Sequence, residues 1–308
     1  MGDSINSSTL RAAADSSAAV IGELGIVLYV GGTVIFCAVL ALAVYGVWTK
    51  PRAINAKYWI VGAGLAFPIV TVSALLAYSI VIGNALHIHA PDHPLRIHVQ
   101  AKQWWWQVDY EVGSGQRVTL ANELHIPTDT SVELILTTSD VIHSFWVPAL
   151  AGKVDMIPGH TNRLILRTSQ AGVYRGQCAE FCGLQHALMA LFVVAKPKAQ
   201  FDAWLTEQSE SVKLSDAASQ TAFALFERGG CAACHTIRGT AAAGTLGPDL
   251  THVGSRRSLA AGTLDNHVGT MAGWIAGPQE VKPGSAMPAS QYTGRELRAV
   301  AEWLVTLK

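Results

Sequence analysis

The sequence has little charge of either sign and few cysteines, and each shortage excludes a class of protein. Charged residues make up 14% of the 308 residues, and 22 basic side chains balance 22 acidic ones. A chain with a formal net charge of zero has no basic field to attract nucleic acid, so no nucleic-acid partner is expected. Four of the five cysteines fall into two short clusters, which leaves none for a disulfide framework.

Long apolar runs are what the sequence has instead. Hydrophobic residues make up 50% of the chain, and the mean hydropathy is +0.29. Two uncharged runs, residues 24–48 and 58–82, each exceed the roughly 20 residues that a helix needs to cross the hydrocarbon core. These features predict a membrane protein with soluble parts. We expect a mild kink at Pro68 in the second helix and a buried thiol at Cys37 in the first.

The connector between the two runs predicts how they cross the membrane. It carries Lys50, Arg52 and Lys57 and no acidic residue. Loops rich in Lys and Arg stay in the cytoplasm, so both termini and the whole chain after residue 84 are expected on the periplasmic side of a bacterial inner membrane. This part of the chain therefore divides into a polar N-terminal segment, residues 1–21, and a transmembrane hairpin, residues 22–84.

Residues 85–198 have the pattern of a β domain. Short β-branched or aromatic segments such as "LRIHVQA", "SVELILTT" and "ALFVVA" alternate with turn sequences such as "VGSG" and "PTDT". Strands at this spacing predict an antiparallel sandwich or a small barrel. An amphipathic helix and a polar linker are predicted at 199–219. A small helical unit follows at 220–308 and ends in a helix with apolar residues at helical spacing.

One loop of the β domain holds an unusual set of soft ligands, in the sequence "GQCAEFCGLQHALM". Cys178 and Cys182 are four residues apart, His186 follows four residues later, and Met189 three residues after that. His143, in "DVIHSFWVPA", lies 35 residues before the first cysteine. Two thiolates, two imidazoles and a thioether suit copper, and the second cysteine allows both sulfurs to bridge two metal ions.

A structural zinc site is the alternative for the same residues. It would use the two histidines and two cysteines as four tetrahedral ligands and leave Met189 as core packing. The thioether and the paired thiolates in one loop favour copper over zinc.

The phrase "VIHSFWVP" followed by "GQCAEFCGLQHALM" resembles the binuclear copper A site of cytochrome c oxidase subunit II. The two-helix hairpin and the sequence "QWWW" match that family as well. The resemblance implies a cupredoxin-like fold and copper ligands that are listed here in chain order: His143, Cys178, the backbone carbonyl of Glu180, Cys182, His186 and Met189. It also implies that the Glu180 side chain reaches a magnesium ion shared with subunit I. Family members that oxidise quinol have lost the copper cysteines, so a cytochrome donor is expected.

The tryptophan run carries a further implication of the resemblance. In the family, an aromatic residue at the position of Trp104 takes electrons from an external cytochrome c. Three adjacent tryptophans cannot all face one side of a strand, so at least one of Trp104, Trp105 and Trp106 is expected to be packing. The sequence departs from the family at the start of the second helix, where the acidic residue of one proton path is missing.

The second cysteine cluster, "CAACH", is the attachment signature of a c-type haem. Cys231 and Cys234 are three residues apart, so both sulfurs can reach the vinyl groups of one porphyrin. His235 would then lie beneath the iron. A thioredoxin-like dithiol has the same cysteine spacing, but the histidine that follows and the lack of a surrounding βαβ pattern favour haem.

The sixth ligand of the haem iron has to come from another part of the chain. Met287 in "KPGSAMPA" is predicted, because the flanking prolines hold an extended loop that presents the thioether. A Met/His pair raises the haem potential, as a donor to copper requires. Met271 is expected to pack beneath a helix instead, and His252 is a weaker rival.

The C-terminal unit is similar to class I cytochromes c along its whole length, which implies an all-α fold. Its sequence "LGPDLTHVGSR" matches the loop after the haem motif, where the Pro248 carbonyl would accept a hydrogen bond from the His235 ring. Arg256 and Arg257 either meet the haem propionates or form an exposed basic patch.

Together the two resemblances imply subunit II of a caa-type cytochrome c oxidase. Electrons would pass from a periplasmic cytochrome or other donor to the tethered haem c, then to copper A, and then to haem in subunit I for O2 reduction and proton pumping. Subunit I and subunit III are the implied partners within the lipid bilayer.

Other readings of the sequence stay open. The chain could be the electron-input subunit of a nitric oxide reductase that contains copper A, because the partner subunit determines whether O2 or NO is reduced. Nitrous oxide reductases have a similar loop, but with Trp where this chain has Glu180. A zinc domain beside an unrelated cytochrome is the non-copper alternative. The sequence "HIHAPDH" at 87–93 is expected to be a wet interfacial linker rather than a metal site.

Overall fold

A computed structural model describes the chain at residues 5–6, 12–13, 15–50, 53–85, 95–113 and 115–308. The positively charged Arg52 and the histidine-rich sequence at 87–93 lie outside the described residues, so the predictions made for them have no structural counterpart here.

Two long apolar helices precede the β domain. The first, α1, spans Ser17–Trp48, and the second is continuous over Ala56–Asn84. Both are long and apolar enough to cross a membrane, with mean hydropathies of 2.5 and 2.2, and their central windows are not buried by the rest of the chain. Cys37 is exposed on α1, so the prediction of a buried thiol is wrong. The described chain does not cover this face of the helix, which leaves the thiol to lipid or to a partner.

The second helix changes its winding near Pro68. It begins as the short helix α2 (Ala56–Tyr58), widens to a π-helix over Trp59–Ala66, and continues as α3 (Phe67–Ala85). Proline has no backbone N–H, so a regular helix would lose one hydrogen bond at this point. The wide turn lies directly N-terminal to the proline, where a mild kink is predicted.

The start of α1 packs on the β domain. The helix begins at Ser17, inside the segment that the sequence predicts as a polar leader. The Ala13 N–H donates to the Ala149 carbonyl at 3.0 Å, and the Ala18 N–H donates to the Leu150 carbonyl at 3.3 Å. These bonds fix one end of the membrane helix to the soluble part of the chain.

The β domain is a sandwich of two sheets. Its strands, together with one from the N-terminal segment, are β1 (Ile5–Asn6), β2 (Leu95–Lys102), β3 (Trp105–Val112), β4 (Gln116–Ala121), β5 (Glu123–Pro127), β6 (Val132–Thr138), β7 (His143–Trp146), β8 (Val154–Met156), β9 (Asn162–Leu166), β10 (Gly172–Cys178) and β11 (Ala190–Lys196). One sheet has the order β4-β3-β2-β6-β9, and the other has the order β5-β11-β10-β7-β8, with β1 beside β10.

The predicted sandwich is confirmed, but its strands are not all antiparallel. The pairs β2/β6, β5/β11 and β1/β10 are parallel. Each joins strands that are distant in sequence, which becomes possible when the chain crosses from one sheet to the other between them. The inner faces meet in a core that includes Trp106, Tyr110 and Phe145, all almost fully buried. This rigid core supports the soft-ligand loop at its rim.

A helix and a linker lead to the C-terminal unit. Helix α4 (Lys198–Ser209) packs on the sandwich through Phe201 and Trp204, and the Trp204 ring stacks on His125 with centroids 3.9 Å apart. The next helix begins at Ala217, earlier than the predicted boundary at 220.

The C-terminal unit is a small helical domain. Its helices are α5 (Ala217–Arg228), α6 (Val268–Ala276), α7 (Pro278–Val281) and α8 (Gly294–Thr306), and its two short strands are β12 (Ser258–Leu259) and β13 (Leu264–Asp265). Helix α8 packs against α5 and α6, with Phe226 and Trp303 rings in edge contact at 5.9 Å. The domain surrounds the "CAACH" sequence, which begins directly after α5.

Candidate copper and haem centres

Three strand ends bring the soft ligands of the β domain together. His143 begins β7, Cys178 ends β10, and Met189 directly precedes β11. Strands β7 and β10 pair with Cys178 opposite Phe145, and the Cys178 N–H donates to the Met189 carbonyl at 3.0 Å. The sandwich therefore holds ligands that are far apart in sequence at one edge of the sheet.

The side chains of this loop converge on a common centre. The two sulfurs of Cys178 and Cys182 lie 3.8 Å apart. Each sulfur faces one imidazole: Cys178 lies 3.8 Å from Nδ1 of His143, and Cys182 lies 3.6 Å from Nδ1 of His186. The Met189 Sδ atom lies 3.9 Å from the Cys182 sulfur. We call these five residues the copper cluster.

Four of the five residues of the copper cluster are buried, His186 is half-buried, and the two thiols shift each other's pKa. The side chains of His143 and Met189 are fully buried, and the two cysteines are 4% and 3% exposed. The contact with Cys182 is the largest of the causes that lower the pKa of Cys178, and the same contact raises the pKa of Cys182. A lowered thiol pKa favours the thiolate, which is the form that binds metal.

Asp140 orients the first imidazole. Its Oδ1 atom lies 2.7 Å from Nε2 of His143 and accepts the Val141 N–H at 2.7 Å. Burial alone would lower the pKa of His143, but hydrogen bonds with Cys178 and Asp140 raise it above its ordinary value. Because the carboxylate holds Nε2, the Nδ1 atom is left to face the sulfurs, as a carboxylate–histidine pair does for a metal ligand.

Two side chains from the turn between β2 and β3 hold the copper loop from the other side. The Trp104 indole N–H donates to the Cys182 carbonyl at 2.9 Å, and Nε2 of Gln103 donates to the same oxygen at 2.7 Å. Trp106 is fully buried in the core, and Trp105 lies under the ammonium group of Lys102 at 4.9 Å. As predicted, at least one of the three tryptophans is core packing: Trp106 is buried and meets the His143 ring edge-on with centroids 6.4 Å apart. The half-buried Trp104 is the one that hydrogen-bonds to the copper loop.

Glu180 has its backbone and its side chain in different environments. Its carbonyl oxygen lies 3.2 Å from the Cys178 sulfur. Its carboxylate is about half exposed and lies 3.6 Å from the ammonium group of Lys153. The carbonyl therefore points into the copper cluster, and the carboxylate points away from it to the surface.

The donor set fits copper better than zinc. Two sulfurs at 3.8 Å can bridge a pair of ions, and a buried thioether beside one of them is a soft ligand that copper accepts. A structural zinc site would be complete with the two cysteines and two histidines and would make no use of the thioether.

The "CAACH" sequence forms a tight turn with its histidine anchored. Residues Cys231–Ala233 make one 3-10 turn, and both cysteines are free and half-buried. The His235 Nδ1 atom lies 2.8 Å from the Pro248 carbonyl. A Cβ atom built on Gly247 would come 2.6 Å from the His235 ring, so the ring packs directly on the backbone there. Burial lowers the pKa of His235, which favours the neutral imidazole with Nε2 available to an iron. These residues fit a covalently attached haem.

The remaining candidates of the haem domain occupy distinct places. Met287 is half-buried and packs against the domain core, and Met271 is buried within that core. Nε2 of His252 lies 3.1 Å from the Glu210 carbonyl, so this rival is engaged with the linker. Arg256 donates to the Asp249 carbonyl, and burial lowers the pKa of its guanidinium group. The expectation of an exposed basic patch is therefore wrong for Arg256, because the loop folds its side chain inward. Arg257 is exposed.

Several residues at these centres have no motif that identifies them in the sequence. Asp140 stands three residues before His143 and could have been suspected, because ligand imidazoles are commonly held by a nearby carboxylate. Gln103 and Lys282 have no such signal. Lys282 lies in the haem domain, yet its ammonium group reaches the Trp104 carbonyl at 2.7 Å.

Two family models match the chain, each on one of the candidate centres. The model for the periplasmic domain of cytochrome c oxidase subunit II matches residues 106–196. The model for cytochrome c matches residues 219–308.

Known relatives decide the family. Cytochrome c oxidase subunit 2 from Schizosaccharomyces pombe is 30% identical over 203 residues, which are 57% of this chain and 81% of that protein. The chain belongs to the cytochrome c oxidase subunit II family. The cytochrome c oxidase subunit 2 from Alkalihalophilus pseudofirmus is 37% identical over 219 residues, 70% of this chain. The chain spans 62% of the length of that relative.

One solved structure is similar to part of this chain. The periplasmic domain of subunit II of cytochrome oxidase from Bradyrhizobium japonicum is 29% identical, with a TM-score of 0.36 over 38% of this chain and 95% of that one.

Family membership and the observed fold confirm the predicted fold class. The chain has two membrane-competent helices, a cupredoxin-like β domain and a helical cytochrome c domain. The two families imply copper A and haem c as cofactors.

Proposed function

We propose that the chain is the electron-input subunit of a haem–copper oxidase. It takes electrons from a periplasmic cytochrome or another donor onto its own haem c and passes them through a binuclear copper A centre to haem in subunit I. There, O2 is reduced and protons are pumped. The observation that carries this proposal is that one chain holds a converged cluster of two cysteines, two histidines and a methionine beside a complete "CAACH" sequence.

The residues of the copper cluster would hold the two metal ions. Cys178 and Cys182 would supply two thiolates, His143 and His186 two imidazoles, and Met189 and the Glu180 carbonyl the remaining ligands. When bound, the copper pair and the haem iron each supply a carrier for one electron. A buried, rigid set of ligands keeps the geometry nearly constant when charge arrives, which lowers the reorganisation cost of the transfer.

The haem domain would hold its cofactor by four groups. Cys231 and Cys234 would attach the haem covalently, and His235 and Met287 would bind its iron. The Pro248 carbonyl, 2.8 Å from the His235 ring, keeps Nδ1 protonated and so presents Nε2 to the iron.

The membrane hairpin would place both centres beside subunit I. The basic connector between the helices stays in the cytoplasm, so the β domain and the haem domain lie on the periplasmic face of the inner membrane. Subunit I, together with subunit III, would cover the apolar faces of the hairpin that are exposed in the isolated chain. The half-exposed carboxylate of Glu180 is available to a magnesium ion at the boundary with subunit I.

A rapid-reduction experiment tests this function on the full-length chain in detergent. The haem is reduced by a short photochemical pulse, and the haem and near-infrared copper bands are followed together. The expected result is that the haem reoxidises while the copper band disappears with the same rate constant. A haem that stays reduced while the copper band persists would contradict the proposal.

A further inference from the structure

The haem domain and the β domain meet at a buried lysine. Lys282 follows α7 in the haem domain and is 3% exposed. Its ammonium group donates to the Trp104 carbonyl at 2.7 Å, the Leu188 carbonyl at 2.9 Å and the Ala260 carbonyl at 3.3 Å. The first two acceptors belong to the β domain, and the third belongs to the haem domain.

A lysine is almost never buried in this way unless its ammonium group has partners. Burial lowers the pKa of Lys282 to about 8, so the group still carries its proton at neutral pH. A protonated ammonium group has three N–H donors, which match the three carbonyl acceptors. This stoichiometry makes Lys282 a cross-link between the domains rather than a surface residue that happens to be covered.

Trp104 lies between the two domains at this contact. On one side, its indole N–H donates to the Cys182 carbonyl of the copper cluster at 2.9 Å, and a Cβ atom built on Gly183 would lie 3.1 Å from its ring. On the other side, a Cβ atom built on Gly284 would lie 3.6 Å from the far edge of the ring. Two glycines with positive φ, 113° and 82°, thus let the backbone approach two edges of the indole.

The position of Gly284 connects this contact to the haem. It stands three residues before Met287, the predicted axial ligand, in the segment 282–287. The same segment is held to the copper loop a second time, because Nε2 of Gln185 donates to the Pro283 carbonyl at 2.8 Å. The methionine loop therefore lies beside the Cη2/Cζ3 edge of Trp104, and the copper loop lies at its indole N–H edge.

A second contact limits rotation about the lysine. The Ala190 N–H, at the start of β11, donates to the Ala261 carbonyl of the haem domain at 3.0 Å. A third contact between the domains is the hydrogen bond that the Arg257 N–H donates to the buried carboxylate of Glu123. Bonds at several separate points fix an orientation as well as a contact.

We propose that Lys282 is a positioning residue that fixes the haem domain on the copper loop, so that Trp104 receives electrons from the tethered haem and is partly shielded from soluble donors. The inference rests on the proposed function, since it assigns an electron-transfer role to a contact between two redox domains. It differs from the implication of the family resemblance, in which the same tryptophan meets an external cytochrome.

The test compares Lys282→Met with Lys213→Met in the full-length chain carrying both cofactors. The first change keeps much of the side-chain length but removes all three donors, and the second removes the same charge from an exposed lysine in the linker. Hydroxyl-radical footprinting with mass spectrometry measures how accessible Trp104 is, with buried Trp106 as the internal reference. This readout does not depend on electron transfer.

We expect Trp104 to become more reactive only in Lys282→Met. The rate of haem-to-copper transfer should fall by about tenfold or more in that variant, because small misplacements of reacting groups cost rate steeply. Soluble reduced cytochrome should then reduce the copper directly, at a rate that we expect to exceed the rate in the parent chain.

Three results would decide against parts of the account. Equal Trp104 reactivity and equal transfer rates in Lys282→Met and Lys213→Met overturn the positioning role. A parent chain without haem-to-copper transfer overturns the proposed function, while the footprint still reports the docking. If Lys282→Met loses its copper or haem bands, Lys282→Leu, which also removes all three donors, replaces it. Unchanged Trp104 reactivity in that variant also overturns the role.

Discussion

The copper cluster and the haem motif obtain their ligands in opposite ways. In the β domain, strand ends around a rigid core bring His143 beside cysteines 35 or more residues away in sequence, and four of the five side chains of the copper cluster are buried. In the haem domain, three of the four residues that would hold the haem lie within the five residues of "CAACH", and its cysteines are half-buried. The copper cluster is thus assembled by long-range strand packing, whereas most of the haem site comes from one short segment.

The comparison predicts that the two centres fail independently. Replacing Cys182 with Ser removes one of the two bridging sulfurs, so the near-infrared copper absorption should disappear completely. The haem spectrum should be unchanged, because the haem ligands belong to a separate core. Absorption spectra of the purified variant check this. Survival of the near-infrared band would show that the two thiolates do not bridge.

Blocking haem attachment should have a structural effect that has no parallel at the copper cluster. In a chain with both Cys231→Ala and Cys234→Ala, a small domain loses the group that completes its core, and binding of a cofactor is part of its stability. We expect amide-exchange protection to fall across α5 and α8 but to remain in β10 and β11. Protection that is equal to the parent in both domains would remove the contrast between the two centres.

Met287, the predicted haem ligand outside the "CAACH" sequence, tests the independence of the two centres at a single residue. Met287→Ala should convert the haem to a high-spin form, or to a form with a different axial ligand, and lower its potential, because a thioether ligand raises it. Copper absorption should not change. Visible spectra and redox titration measure both effects, with Met271→Ala as the control within the same core. If Met287→Ala leaves the haem spectrum as in the parent, another residue is the ligand.

Removal of the carboxylate beside His143 should weaken the copper cluster without abolishing it. Asp140→Asn loses the charge that orients the imidazole through Nε2, and changes of this kind cost about 10- to 100-fold in metal affinity. Competition with a copper chelator measures the affinity. Asp202→Asn, on the exposed face of α4, is the matched control. Equal affinities in the two variants would mean that Asp140 does not position the ligand.

The smallest expected effect is a pH dependence confined to the haem domain. Glu296 accepts the Thr293 N–H at the start of α8 and pairs with Arg228, and these interactions lower its pKa to about 2 from an ordinary value of 4.5. The depressed pKa contributes stability above pH 4.5 that is lost as the pH falls toward 2. Glu296→Gln should lower the apparent Tm of the haem domain slightly at pH 6. The decrease in Tm between pH 5 and pH 3 should be smaller in this variant than in the parent chain. An unchanged pH profile would contradict this.

The sequence carries much of this architecture because its signals are local or periodic. Soft ligands at fixed spacing identify the copper cluster, and alternating β-branched segments identify the strands that hold it. The contact through Lys282 is different, because a lone lysine between proline-rich turns has the sequence signature of a solvated loop. Its burial depends on how two separately recognisable domains pack, and no pattern within either domain encodes that packing. The early start of α1 is hidden for the same reason, since it depends on backbone bonds to Ala149 and Leu150.

Metal quantitation on the purified, fully loaded chain is the most direct test of the account. The account predicts two copper ions and one iron per chain, with the copper lost and the iron retained in Cys182→Ser. One zinc and one iron per chain, or iron without any copper, would contradict it.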